Sequence, residues 1–151
     1  MISGLPDFSS LPTYEIEIGV VSTNSKRKDK VRIGLTNAEL MFIHENGSPL
    51  RHIPARPVLQ MTIDYTNSTL LKPTIDKCID RFLATGNPAD VEDELKKLCI
   101  KMENYAREII YSNDGRLAPN SPAVAARKKG NHPLFDTGQL ARSITCHLVK
   151  R

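Results

Sequence analysis

The sequence predicts an α+β domain, a small antiparallel sheet made of an N-terminal hairpin and a C-terminal strand, packed by two long helices and several shorter ones. Three observations carry that class. Residues 14–20 and 144–149 alternate apolar and polar side chains with period two, the pattern of half-buried strands. Residues 71–83 and 91–109 repeat apolar side chains at steps of three and four, the pattern of amphipathic helices. The strand patterns lie at opposite ends of the chain, so they are expected to join in one sheet whose apolar face the helices cover. A length of 151 residues supports one domain, and residues 13–151 are read as that domain.

Residues 1–12 carry Gly4, Pro6 and Pro12 and read as a flexible N-terminal arm, ordered only where a partner holds it. Tyr14, Ile16, Ile18 and Val20 then share one face of a strand, with Glu15 and Glu17 on the other. A basic turn follows, and Val31, Ile33 and Leu35 return as the second strand of a hairpin. Thr36 and Glu39 form a capping box for a helix that Gly47 stops, because glycine tolerates the positive φ of a helix end. Pro49, Pro54 and Pro57 make 48–57 an irregular connector, with Pro57 suited to the first helical position.

Residues 58–85 read as helix, in one piece or two, with Pro73 marking a start or a kink. Leu71, Ile75, Cys78 and Phe82 form its apolar stripe, widened by Ile79 and Leu83, and Gly86 ends it. Asn87 and Pro88 are an N-cap and a first helical position. Val91, Leu95, Leu98, Met102, Tyr105 and Ile109 form the clearest stripe, and the acids-first, bases-later order along it suits the helix dipole. That helix should end near Asn113–Gly115. Residues 116–134, with three prolines and a basic cluster, read as a long loop with little to hold it in a monomer. Asp136 is placed to cap a short helical turn over 137–143, with Gly138 allowing close packing, before the last strand.

Composition excludes several classes. Cys78, Cys99 and Cys146 cannot all pair and have no zinc-ligand spacing, so a disulfide scaffold and a cysteine zinc site are poor readings, and a reducing compartment is expected. No apolar run is long enough to span a membrane, and no signal peptide is read at the N-terminus. His44, His52 and Glu45 flank a turn without a metal motif, and surface or half-buried histidines are the favoured reading. There is no serine elbow and no phosphate-binding glycine loop, and Cys78, Cys99 and Cys146 fall on apolar faces where thiols are inert. The expectation is therefore no enzyme, no cofactor and no metal. The net charge is +4 and unevenly placed, with Lys26, Arg27, Lys28, Lys30 and Arg32 in one cluster and Arg127, Lys128 and Lys129 in another. Such clusters can contact a phosphate backbone, with Lys26, Arg27 and Lys28 the candidates, although no aromatics interleave for stacking on single strands.

Two segments are more specific. The first is Ile53-Pro54-Ala55-Arg56-Pro57-Val58-Leu59, preceded by His44-Glu45-Asn46-Gly47. The second is Leu117-Ala118-Pro119-Asn120-Ser121-Pro122, a basic stretch, and Pro133-Leu134-Phe135-Asp136-Thr137-Gly138-Gln139-Leu140 closing on Ser143-Ile144. In order and spacing this resembles the neck proteins of tailed bacteriophages, the tail-completion and head–tail joining group of Mu-like and lambdoid phages, over roughly residues 35–148. Val58 stands where an aromatic is usual in that group, and Ala123, Ala125 and Ala126 stand where threonine is common. The resemblance implies a structural virion protein that assembles in the host bacterial cytoplasm. It also implies a six-fold or twelve-fold homo-oligomeric ring that contacts other neck, connector or tail proteins. Contact with packaged DNA would be non-specific.

Read from the residues alone, Arg56, held on a stiff backbone between two prolines, is either aimed at a carboxylate inside the fold or on a neighbouring subunit, or is an intramolecular structural arginine. Arg56, Pro57, Pro119, Pro122, Arg127, Lys128 and Lys129 are the candidate interface residues, and Asp136, Thr137 and Gly138 a structural cap and turn. Two other readings remain open at this point: a small basic nucleic-acid-binding module and, behind it, a metal-dependent nuclease.

Overall fold

The two ends of the chain meet in the sheet. In the computed structural model, which describes residues 4–21, 34–128 and 130–151, β1 (Tyr14–Val20) pairs antiparallel with β2 (Ile144–Lys150). Tyr14 lies opposite Lys150 and Val20 opposite Ile144, so the pairing runs the full length of both strands. Glu15 and Glu17 are exposed, while Ile18 and Val20 pack on the main core, as the period-two pattern requires. Among the described residues the sheet has these two strands. The expected partner strand over 31–35 begins outside the described residues, and Gly34 and Leu35 lie in no strand.

Thr36 caps α1 (Asn37–Asn46) as expected, its hydroxyl accepting from Glu39 N at 3.2 Å while its own N–H donates to Glu39 Oε2 at 2.8 Å. Gly47, at φ 73°, closes the helix with an N–H bond to Ile43 O. Helix α2 (Val58–Tyr65) begins one residue after the proline expected to open it, so Pro57 is the N-cap and not the first helical residue. The long helical stretch is in two pieces: a wide π turn over Thr66–Leu70 separates α2 from α3 (Leu71–Thr85), with Leu71 N–H reaching back to Thr66 O. Pro73 supplies the cause, because its ring crowds the carbonyl four residues earlier and it donates no hydrogen bond, and a widened turn just upstream relieves both. Asn87 and Pro88 then open α4 (Pro88–Ser112), with Asn87 Oδ1 accepting from Ala89 N at 3.0 Å and Asn113 in the left-handed region at its end.

The stripe read for α3 is rotated in the fold. Thr74, Cys78 and Phe82 are buried, whereas Ile75, Ile79 and Leu83 are 41–43% exposed. Cys78 and Phe82 pack against Val91 of α4, with Arg81 beside them reaching Asp90 at 2.6 Å and Glu94 at 2.8 Å, so this row faces α4 and the isoleucine row faces solvent. Residues 116–134, read as a loop, contain a short helix α5 (Pro122–Arg127) capped by Ser121, and α6 (Gln139–Ser143) leads directly into β2.

Two apolar clusters hold these elements. The larger gathers Met41, Val58, Ile109, Ile110, Leu140 and Ile144 from α1, α2, α4, α6 and β2. The smaller is Cys78, Phe82 and Val91, with Leu11, Tyr14 and Leu95 against it. Part of the N-terminal arm completes that second cluster: Phe8 meets Phe82 edge-on at 5.0 Å, on a turn that Asp7 caps through Ser9 N.

Candidate functional site

The segment after α1 is a closely bonded turn. Ser48 and Ile53 exchange backbone hydrogen bonds of 2.8 and 3.0 Å, and His52 takes a left-handed φ of 53° between them. Gly47 is required there, since a Cβ would lie 2.8 Å from Ala55 N. The turn presents Leu50 to solvent, 97% exposed, and then returns so that Arg56 N–H bonds His44 O.

From this stiff backbone the Arg56 side chain enters the protein, where it is 4% exposed. Its Nε donates to Ala118 O at 2.7 Å and its Nη2 to Pro119 O at 2.8 Å. The two motif segments, more than sixty positions apart, are therefore tied by one guanidinium. The partners are backbone carbonyls of the same chain, which makes Arg56 an intramolecular structural arginine, with no carboxylate at its guanidinium among the described residues. Nη1 also lies 3.4 Å from His44 Nδ1, which places the acceptor lone pair on Nδ1 and the proton on Nε2. Burial above all, with the charges of Arg56 and Lys128 added, pushes the His44 pKa down to about 4. His44 is thus neutral at physiological pH.

Glu45 faces the next helix. Its two carboxylate oxygens accept from Leu59 N at 3.0 Å and Gln60 N at 2.8 Å, capping α2, whose own N-cap residue is a proline without a side-chain acceptor. His52 is exposed and joins neither group. Among the described residues no cluster of three or more His, Cys, Asp or Glu side chains could hold a metal.

The second motif is held from inside, contrary to the expectation of a loop with little to fix it. Leu117 and Leu134 are buried in the main cluster, Asn131 Oδ1 accepts from Asn120 N at 3.0 Å, and His132 Nε2 bonds Ile110 O. Pro119, Pro122 and Arg127 are exposed, Pro57 is half-buried, and Lys128 Nζ reaches Phe135 O at 3.5 Å. Lys26, Arg27, Lys28 and Lys129 lie outside the described residues.

The cap read at Asp136 is corrected. The helix starts two residues later than expected, Gly138 is its N-cap at φ 76°, no side chain caps it, and Asp136 and Thr137 are exposed. Gly138 does allow close packing, because a Cβ there would stand 2.7 Å from Arg142 Nη1 and 3.3 Å from the Phe135 ring.

A second arginine, Arg107, was legible only as a base favoured by the helix dipole. It donates to Ala141 O at 3.2 Å and Ile144 O at 2.9 Å while paired with Glu103 at 2.6 Å, and so fastens α6 and β2 to α4. An open groove of about 530 Å³ separates α3 from α4, with Leu70, Pro73 and Leu98 among its walls, Lys77 and Lys101 on its rim, and a Glu94–Lys97 ion pair of 2.7 Å at its side. The chemistry of the Arg56 junction is fastening: its charged groups are engaged with backbone amides and carbonyls of the chain itself. Among the described residues no helix is long and apolar enough to cross a membrane. Comparisons with protein-family models, curated protein sequences and solved structures found no significant match.

Proposed function

We propose that this chain is a structural component of a tailed-phage particle, a subunit of an oligomeric ring at the head–tail junction, acting by assembly and not by catalysis. The observation that carries this reading is the convergence on Arg56 of the two segments that resemble the neck proteins. Those segments stiffen each other, and a rigid turn then offers Leu50 to a neighbour at little entropic cost. Phe42, on α1 ahead of that turn, is 71% exposed.

A closed ring needs two different patches on each subunit, one to give and one to receive. The exposed Ile75–Ile79–Leu83 row of α3 is a second apolar patch on separate elements. Repetition around the ring turns a modest contact into a stable assembly. Any contact with packaged DNA is with its backbone and independent of sequence.

The test is electron microscopy of particles assembled without this protein. Full heads beside complete, unattached tails are the expected result; infectious particles of normal appearance would overturn the proposal. Purified protein should form rings as concentration rises. Salt-dependent binding of duplex DNA by a stable monomer would favour the nucleic-acid module instead.

A further inference from the structure

The packing of α4 on β2 brings together two cysteines that the proposed assembly role does not use. Arg151 N–H bonds Thr13 O, so in this register the odd-numbered residues of β2 bond to β1 and the even-numbered ones turn their backbone groups away from it. Cys146 N–H uses that freedom to donate to Glu103 Oε2 at 3.2 Å. Glu103 is one helical turn beyond Cys99 on α4, and Arg107, a turn further, holds Glu103 at 2.6 Å and Ile144 O at 2.9 Å. One face of α4 thus grips β2 at successive turns, and Cys99 is the next position along it. Its thiol and that of Cys146 stand close enough to act on each other, and neither cysteine is in a disulfide. Cys78 lies in the other cluster, its sulfur 3.9 Å from Val91 O.

We infer that Cys99 and Cys146 are a paired oxidation site, two thiols that join as an intramolecular disulfide when a peroxide reaches them. The Cys99 sulfur, as thiolate, attacks one peroxide oxygen; the O–O bond breaks, Cys99 becomes a sulfenic acid, and the other oxygen leaves as water after taking a proton. The Cys146 sulfur then displaces the sulfenic hydroxyl, which leaves as a second water with the Cys146 proton. Two thiols are oxidised by two electrons in all, and one hydrogen peroxide is reduced to two waters. The two thiols act on each other, so the first proton lost belongs to the pair, and the same disulfide forms whichever sulfur attacks first. Cys99 is only 6% exposed, which suits a small oxidant. The bond would tie β2, and β1 through it, covalently to α4.

The experiment treats the full chain with hydrogen peroxide, blocks remaining thiols with N-ethylmaleimide and maps tryptic peptides without reduction. The expected product joins the peptide Leu98–Lys101 to the peptide Ser143–Lys150. The thiol titre in denaturant should fall from three to one, and the Cys78→Ser variant should give the same link. The oxidised protein should melt higher than the reduced one, and the Cys146→Ser variant should lose that difference. Links to the Cys78 peptide, disulfide-bonded dimers, or sulfinic acid at Cys99 or Cys146 without the linked peptide would overturn the inference. The peptide map reads the unmodified sequence and succeeds or fails whether or not the chain assembles into rings.

Discussion

Over its C-terminal half α4 buries Ala106, Ile109 and Ile110 among residues from α2, α6 and β2. Over its N-terminal half it meets α3 and the N-terminal segment through the small Cys78–Phe82–Val91 cluster and a row of charges, Arg81 with Asp90 and Glu94, and Lys97 with Glu94. The same helix thus serves a many-sided core at one end and a two-helix hairpin at the other. The charges in the hairpin sit near water, where such pairs contribute little, so its rigidity rests on few apolar contacts. At the other end Arg56, Glu45 and Arg107 close the core by bonding backbone groups of distant segments. Local pattern suffices to build the hairpin; the core end depends on long-range polar fastenings.

The largest expected effect separates the two ends. Ile110→Ala removes a side chain with no exposed surface from the larger cluster and should cost about 4 kcal/mol in urea unfolding. Because that cluster joins elements from both ends of the chain, amide exchange should accelerate throughout. Phe82→Ala should accelerate exchange mainly over 71–95, as opening of the smaller cluster frees only the hairpin. Uniform loss of protection in both variants would abolish the distinction between the two ends.

Arg56→Ala should come next, at about 3 kcal/mol, since it removes charge-assisted bonds to two carbonyls. Proteolytic nicking should then concentrate in 117–134. A variant of unchanged stability that no longer assembles would show that the guanidinium serves a neighbouring subunit instead. Beside it, His44 makes stability depend on pH. Its pKa is near 4 in the fold against about 6.5 unfolded, so the unfolded chain takes up the proton first as pH falls. The contribution is complete above pH 6.5 and is lost progressively down to pH 4. Between pH 7 and pH 5 the loss should be about 2 kcal/mol, and it should vanish in His44→Phe. Glu45→Gln should cost about 1 kcal/mol, the value of a good helix cap, read by thermal melting.

The contrast between the two ends also explains what could be read from the sequence. The strands, the capping box at Thr36, the stops at Gly47 and Gly86 and the long stripe of α4 were legible because each is a local rule: parity, spacing, or a residue whose backbone freedom the turn requires. The rotation of α3 was not, because it is decided by which row meets Val91 of α4 and the N-terminal segment, and spacing alone ranks Ile75 and Ile79 equal to Cys78. Arg56 was legible as a stiffly held arginine but its target was not: backbone carbonyls carry no sequence signature, and Ala118 and Pro119 differ from any other pair only by their place in space. Glu45 and Arg107 escaped for the same reason, each looking like an ordinary charge on a helix. Asp136 misled in the opposite way, since a strong capping residue stood two positions ahead of a helix that opens on Gly138.

The smallest expected effect on stability falls on the row that spacing misplaced. Ile75 and Ile79 are 43% and 41% exposed, so Ile75→Gln with Ile79→Gln should change unfolding by less than about 1 kcal/mol. The exposed row has Asp80 beside it on α3, Asp76 being paired with Lys72 at 2.8 Å, and Arg51 stands beside the fully displayed Leu50 of the turn. An apolar knob with a base next to it thus has a counterpart in an apolar ridge with an acid next to it. If subunits meet head to tail through these surfaces, the double variant should sediment as a monomer at concentrations where the parent chain forms rings. Leu50→Ser should do the same, and mixing the two variants should give dimers and no larger species, because each retains one intact surface. Rings formed by the double variant would leave the α3 row as a solvent-facing consequence of how α3 packs on α4, with no part in assembly.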